Sequence, residues 1–247
     1  MVGIFNKGDS LAKLPLRTIS DAVYQPVFRS MAAAQDNPDK IKYLFFRTVS
    51  LLVLYTLPFY VGLWWLAQPF MIVVYGEHWV DAAIPLQILA PLGLLYCIGH
   101  PCGAVLAATN RLGKEIVVHS ITWILVALGC YFGLHWGLKG VAIGIVLSQI
   151  YSNIHMYLLA NQCFRAKFDD LFAAVQPGLV LNAILVAVLF VVDAWLPTGM
   201  RENSKAGYLV ISAFAGSLVY ALAFLYLPLP SLASEAHKWK KLLRLTT

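Results

Sequence analysis

Long apolar runs separated by short polar turns organise this chain. Six runs, at residues 44–74, 82–108, 115–135, 138–160, 172–196 and 206–227, reach the length of about 20 residues that a helix needs to cross a bilayer. Segment 11–34 has the same length and a different texture. In it Lys13, Arg17, Asp21, Gln25 and Arg29 recur at every fourth position. Turn-forming stretches divide the runs: DNPDK at 36–40, YGEHWVD at 75–81, TNRLGK at 109–114, HWGLKG at 135–140, FRAKFDD at 164–170 and LPTGMREN at 196–203. Because these connections are short, successive helices are expected to run antiparallel. The pattern predicts an all-α fold, a polytopic transmembrane helix bundle of about seven spanning helices.

Residues four apart share a helical face, so the polar row in 11–34 is one slowly drifting stripe. A charge facing lipid near the middle of a bilayer costs roughly 2.5–3.5 kcal/mol even on a lenient insertion scale. The stripe is therefore expected to face protein or water. Lys13 and Arg29 lie near enough to the ends to snorkel, which leaves Arg17 and Asp21 as the informative pair. One account is an Arg17–Asp21 salt bridge that lets the helix insert. The other, favoured by the excess of positive charge, is a face lining an aqueous cavity that attracts an anionic ligand such as the phosphate of a lipid headgroup.

Composition supports a membrane setting. Of the 247 residues, 60% are hydrophobic and 12% charged, with mean hydropathy +0.73, too few charges to cover a soluble core of this size. The net charge of +6 does not point to nucleic acid, because the cations sit in short connections without aromatic interleaving. They follow topology instead. Arg29, Lys40, Lys42, Arg47, Arg111, Lys114, Arg165, Lys167 and the cluster at 238–244 fall on one side; Lys7, Lys139, Arg201 and Lys205 fall on the other. The positive-inside rule then sets the N-terminus outside and the C-terminus inside. Residues 1–234 are expected to form the bundle and 235–247 a basic amphipathic tail against anionic membrane lipids. The opening MVGIFNKGDS lacks a signal-peptide h-region.

Other features concern packing. Gly140, Gly144, Ser148 and Ser152 give a small-residue face for a neighbouring helix. Pro15 and Pro26 are expected to interrupt the striped helix, Pro58 and Pro69 the next, and the Pro/Gly-rich stretch 85–103 the third, as in helices that rock. His100, His119, Gln149, Asn153 and Asn182 either line a pathway or bond between helices. The four cysteines show no CxxC pair and no metal spacing, so free thiols are expected and no cofactor or metal site is assigned. No Ser-His-Asp order, HExxH, Walker loop or paired carboxylates appear, so the chain is not read as an enzyme.

Two stretches carry a family resemblance. VGIFNKGDSLAKLPL followed by AVYQPVFRSMAAAQDNPDK, and then LPFYVGLWWLAQPFMIVVYGEHWVDAAIPLQILAPLGLL, resemble the second lobe of polysaccharide exporters in the multidrug/oligosaccharidyl-lipid/polysaccharide superfamily. The likeness is clearest over 2–112. It implies a two-lobed flippase for undecaprenyl-diphosphate-linked oligosaccharide in the bacterial inner membrane, of which this chain is the C-terminal lobe without its first helix. The partner would be the missing N-terminal lobe, in the same or another chain. The resemblance implies substrate contacts at Lys13 and Arg17 and an ion-coupling or pairing role for Asp21. A drug or small-solute antiporter, or an inactive fragment of a longer flippase, remain the alternatives.

Overall fold

The computed structural model describes residues 2–197, 204–227 and 232–242; the side chains of residues 20–22 also lie outside the described set. The described residues are helical, with no strand among them. The helices are α1 (Val2–Ala32), α2 (Pro38–Trp65), α3 (Ala67–Tyr75), α4 (Ala83–Leu89), α5 (Gly93–Ala108), α6 (Leu112–Gly133), α7 (Gly137–Phe164), α8 (Phe168–Trp195), α9 (Lys205–Tyr226) and α10 (Ala233–Leu242). Short 3-10 turns at Glu77–Ala82, Ala90–Leu92 and Leu134–Trp136 lie between them.

Local chemistry sets the ends. At the start of α2, the Asn37 side chain accepts the Lys40 N–H at 3.0 Å, Pro38 supplies a preset φ and Asp39 meets the positive end of the helix dipole. Asp170 accepts the Lys167 N–H at 2.8 Å to open α8. Between α7 and α8, Arg165 turns left-handed (φ 48°), and Asn161 closes the corner by accepting the Ala166 N–H at 2.7 Å. Gly76 (φ 91°) and Gly137 (φ 64°) make turns that a side chain would strain.

Two expectations about breaks are corrected. Pro15 and Pro26 lie inside α1 without ending it, and Pro58 lies inside α2. A membrane helix tolerates proline where packed neighbours hold its course, and Pro15 is buried against the bundle. α1 also begins nine residues earlier than the apolar pattern suggested, and its 31 residues span about 46 Å. Breaks do occur at Leu66, which separates α2 from α3, and around Pro91, where the third segment passes through a 3-10 turn.

The core gathers where α1, α2, α5 and α7 meet, around Phe45, Val49, Leu52, Cys97, Val105 and Met156. A second cluster joins Leu11 and Ala12 of α1 to Ala67, Met71, Leu86 and Leu89. Small residues bring the backbones together. Gly93 lies under the Tyr60 ring, Gly178 under Val53, and Gly99 against the Asn153 amide. All four cysteines are free, with Cys97 and Cys102 buried.

Among the described residues, five stretches are long and apolar enough to cross a membrane: Pro38–Trp65, Glu77–Ala108, Leu112–Phe164, Phe168–Trp195 and Lys205–Tyr226. The third folds back on itself at Leu134–Gly137. α6 and α7 pack as an antiparallel hairpin in which Gly129 faces Gly144 and Gly133 faces Gly140, backbone to backbone. The small-residue face of α7 is thus occupied by α6. A Cβ on Gly144 would come within 2.5 Å of the Gly129 carbonyl oxygen, whereas one on Gly113 meets nothing within 4 Å. Gly144→Ala is therefore expected to cost about 1–3 kcal/mol by overpacking. Gly113→Ala is expected to be neutral or stabilising by about 0.5–1 kcal/mol. Thermal unfolding of the two variants in detergent micelles checks the contrast.

Candidate functional site

α1 is the one long helix of this bundle, among those described, that fails to qualify as an apolar span. Its inward face carries Gly8, Leu11, Ala12, Pro15 and Met31, all buried against α2, α4 and α5, with Leu16, Ile19, Val27 and Phe28 half-buried beside them. The outward face includes Asn6, Ser10, Arg17, Thr18, Gln25, Arg29 and Ser30, all exposed, with Leu14 and Pro26 as apolar interruptions. Thr18 bonds back to the Leu14 carbonyl at 2.9 Å, so its hydroxyl is satisfied within the helix.

The contrast with the other exposed faces is chemical. α6 exposes Ile116, Val117, Ile121, Trp123, Ile124 and Leu128; α9 exposes Val210, Phe214, Leu218 and Leu222; α8 exposes Phe190 and Val191. Those surfaces match hydrocarbon. The α1 face does not, because an exposed guanidinium in oil is the costly arrangement described above.

Of the five predicted stripe residues, Arg17, Gln25 and Arg29 lie on this exposed face. Lys13 is half-buried, and its ammonium is 2.7 Å from the Asp9 carboxylate one turn earlier. The side chain of Asp21 lies outside the described residues, so an Arg17–Asp21 pair is left undescribed. Asp9 was missed by sequence reasoning, although its i,i+4 spacing to Lys13 is the ordinary signature of a helical ion pair. With Lys13 engaged, Arg17 and Arg29 are the exposed cations of the stripe.

Two polar clusters mark opposite ends of the bundle. At one end Lys42 meets Asp170 at 2.7 Å and Arg47 meets Glu235 at 2.7 Å; Lys238 reaches the same Glu235 oxygen at 2.9 Å. Glu235 is only 14% exposed, so α10 is clipped to α2 there, and Trp239 Nε1 adds a donated bond to the Tyr55 hydroxyl at 2.8 Å. The basic tail is thus a docked helix, a contact that no sequence spacing announces because residues 47 and 235 are 188 apart. At the other end Lys7 sits 3.7 Å from the Tyr75 ring centroid and Lys205 lies 3.5 Å from Glu77. Predicted Arg201 and Arg244 fall outside the described residues.

The remaining polar positions resolve mostly into structure. Asn153 donates to the Gln149 carbonyl at 2.7 Å and Asn182 to the Gly178 carbonyl at 2.8 Å, each four residues back in its own helix, so these bonds do not run between helices. His100 packs edge-on against the Tyr24 ring at 5.5 Å, and His119 lies 3.6 Å from Glu115. Among the described residues, no group of three or more His, Cys, Asp or Glu could hold a metal ion.

These features define a multi-pass membrane protein whose helical bundle carries one polar face. Residues 1–84, which contain the whole stripe, match the family described as "Polysaccharide biosynthesis protein". The chain is 23% identical to an uncharacterized membrane protein in the cps region of Klebsiella pneumoniae, over 98% of this chain and 49% of the relative. It is 26% identical to the lipopolysaccharide biosynthesis protein WzxC of Escherichia coli, over 64% of this chain and 32% of the relative. It is also 26% identical to the teichuronic acid biosynthesis protein TuaB of Bacillus subtilis, over 89% of this chain and 45% of the relative. No solved structure matches. The comparisons bear out the resemblance to polysaccharide-exporting membrane proteins, and the chain spans half or less of the length of these relatives.

A thiol reacts with maleimide as thiolate, which forms in water and not in hydrocarbon. With the four native cysteines replaced by alanine, Arg17→Cys and Gln25→Cys in membrane vesicles should label with a membrane-impermeant maleimide at least about tenfold faster than Ile124→Cys and Phe214→Cys. Equal rates would mean that the α1 face is immersed in lipid.

Proposed function

We propose that this chain is the C-terminal lobe of a flippase that moves undecaprenyl-diphosphate-linked oligosaccharide across the inner membrane. What carries this reading is the polar, cationic face of α1 on a bundle whose other exposed faces are apolar. A half-length lobe suits it, because a face of this kind is stable in a bilayer when a second lobe closes over it and water fills the space between. The relatives support a polysaccharide substrate by name, one of them for lipopolysaccharide and one for an acidic polymer.

In this proposal α1 and the apolar segments give seven spans, with the N-terminus outside and the basic cluster of Lys42, Arg47 and Lys238 inside, in keeping with the positive-inside rule. Residues 1–234 are the bundle and 235–247 a basic amphipathic tail, of which α10 docks on α2. Arg17 takes the diphosphate: its planar fork matches two phosphate oxygens at once, and it stands exposed on the stripe. Lys13, tied to Asp9, tunes the field rather than leading the capture. Asp21, Gln25 and Arg29 line the same path and hold the sugar or its counter-ion. Alternating access follows if the two lobes rock while the polyprenyl chain stays in lipid. The chain acts as a transporter rather than an enzyme in this scheme.

Substitutions at the chromosomal locus test the assignment. Arg17→Ala should lower surface polysaccharide by about tenfold or more, and Arg17→Lys should fall between it and the parent, because a lysine keeps the charge but loses the bidentate geometry. Surface polysaccharide extracted from cells with matched protein levels gives the reading. Unchanged export in both variants removes Arg17 from the mechanism.

A further inference from the structure

At the end of the bundle opposite the basic cluster lies a cavity of about 440 Å3, lined by Trp65, Gln68, Pro69, Ile72, Gln87, Lys205 and Tyr208. Its volume falls within the range of about 300–1,000 Å3 typical of small-ligand sites. It does not touch the α1 stripe, and its chemistry differs from that of the lipid-facing surface. Three elements build it: the α2–α3 break, Gln87 of α4, and the first turn of α9.

The aromatic residues are held in place by their polar tips. Trp65 Nε1 donates to one oxygen of Asp193 at 3.2 Å, and the Tyr208 hydroxyl donates to the other at 2.5 Å. With its N–H engaged, what Trp65 offers the cavity is ring surface, while Tyr208, only 2% exposed, backs the wall behind it. Around the rings stand two primary amides. Gln87 makes a long bond of 3.5 Å to the Trp64 carbonyl, and no hydrogen bond within the described residues occupies the Gln68 amide. Each amide can both donate and accept. Lys205 contributes a cation whose partner, Glu77, is 85% exposed and 3.5 Å away, a loose pair that an anion can displace.

We infer that this cavity is a saccharide site that selects a sugar bearing a carboxylate. A pyranose has an apolar C–H face that packs flat on an indole and a rim of hydroxyls that need both donors and acceptors. The Trp65 indole supplies the first, Gln68 and Gln87 the second, and Lys205 meets the carboxylate. A simple hydrophobic ligand would cover both amides without giving either a partner, which disfavours its binding. The inference rests on the flippase reading in one respect: it assigns the glycan, rather than the lipid end of the substrate, to this chain's far mouth.

The whole chain in detergent micelles, titrated with digalacturonate, with the neutral disaccharide galactobiose, and with glycerol 1-phosphate as a lipid-headgroup mimic, tests it by tryptophan fluorescence and calorimetry. Digalacturonate should bind about tenfold more tightly than galactobiose, the difference expected for one charge-assisted hydrogen bond. Lys205→Gln should abolish that preference while leaving galactobiose binding in place. Gln68→Ala and Gln87→Ala should weaken both sugars about three- to tenfold. Circular dichroism confirms that the variants fold; all three substituted side chains are at least partly solvent-exposed. No saturable binding of either sugar, unchanged binding in Lys205→Gln and Gln68→Ala, or glycerol 1-phosphate competing as well as digalacturonate would overturn the assignment, the last by giving the cavity to a lipid headgroup. Binding is read without transport, so the two readings fail separately. Sugar binding with export indifferent to Arg17 removes Arg17 from the mechanism and leaves this site standing, and export lost in Arg17→Ala without sugar binding sinks this site alone.

Discussion

The cost of holding a guanidinium against hydrocarbon governs this molecule. The long helices α6, α8 and α9 can meet lipid on their free faces, where they expose leucine, isoleucine, valine and phenylalanine. α1 cannot. Its buried face binds it to α2, α4 and α5, so rotation to hide Arg17 would pull Leu11, Ala12, Pro15 and Met31 out of the core. Each large apolar side chain removed from such a core forfeits roughly 1.5–3 kcal/mol. The packing on one side fixes the direction in which Arg17, Gln25 and Arg29 stand exposed on the other.

Much of this was legible in the sequence because membrane helices advertise themselves by length and hydropathy. The ends of the apolar runs fell close to the ends of α6, α7, α8 and α9, and the Gly140/Gly144 face found a partner in Gly133 and Gly129. The stripe was legible for the same reason, since a four-residue repeat of polar side chains has no reading in hydrocarbon other than a segregated face. Local spacing rules misled where tertiary contacts supply what the local chain lacks. Pro15 and Pro26 read as breaks, yet α1 continues through both, with Pro15 buried among the helices it packs on.

Contacts distant in sequence were out of reach. Glu235 meeting Arg47, Asp193 joining Trp65 to Tyr208, and Lys42 meeting Asp170 each unite residues whose separation carries no periodic signal. They become visible only when the helices are laid side by side. Asp9 is different. It lies one turn from Lys13 and was readable in principle, and its presence changes the ranking within the stripe by engaging one of the cations.

The two ends of the bundle are also built differently. At the basic end long helices run uninterrupted to their caps, and ion pairs clip α8 and α10 to α2. At the opposite end the chain breaks at Leu66, turns at Gly76 with positive φ, and passes through the 3-10 segment Glu77–Ala82 before α4 begins. A 3-10 turn has poorer hydrogen-bond geometry than an α-helix and marks a point where a helix yields more readily. The ion pairs cross-link the helices at the basic end, while the Leu66 break and two 3-10 turns fall within 66–92, beside the cavity lined by Gln68 and Gln87.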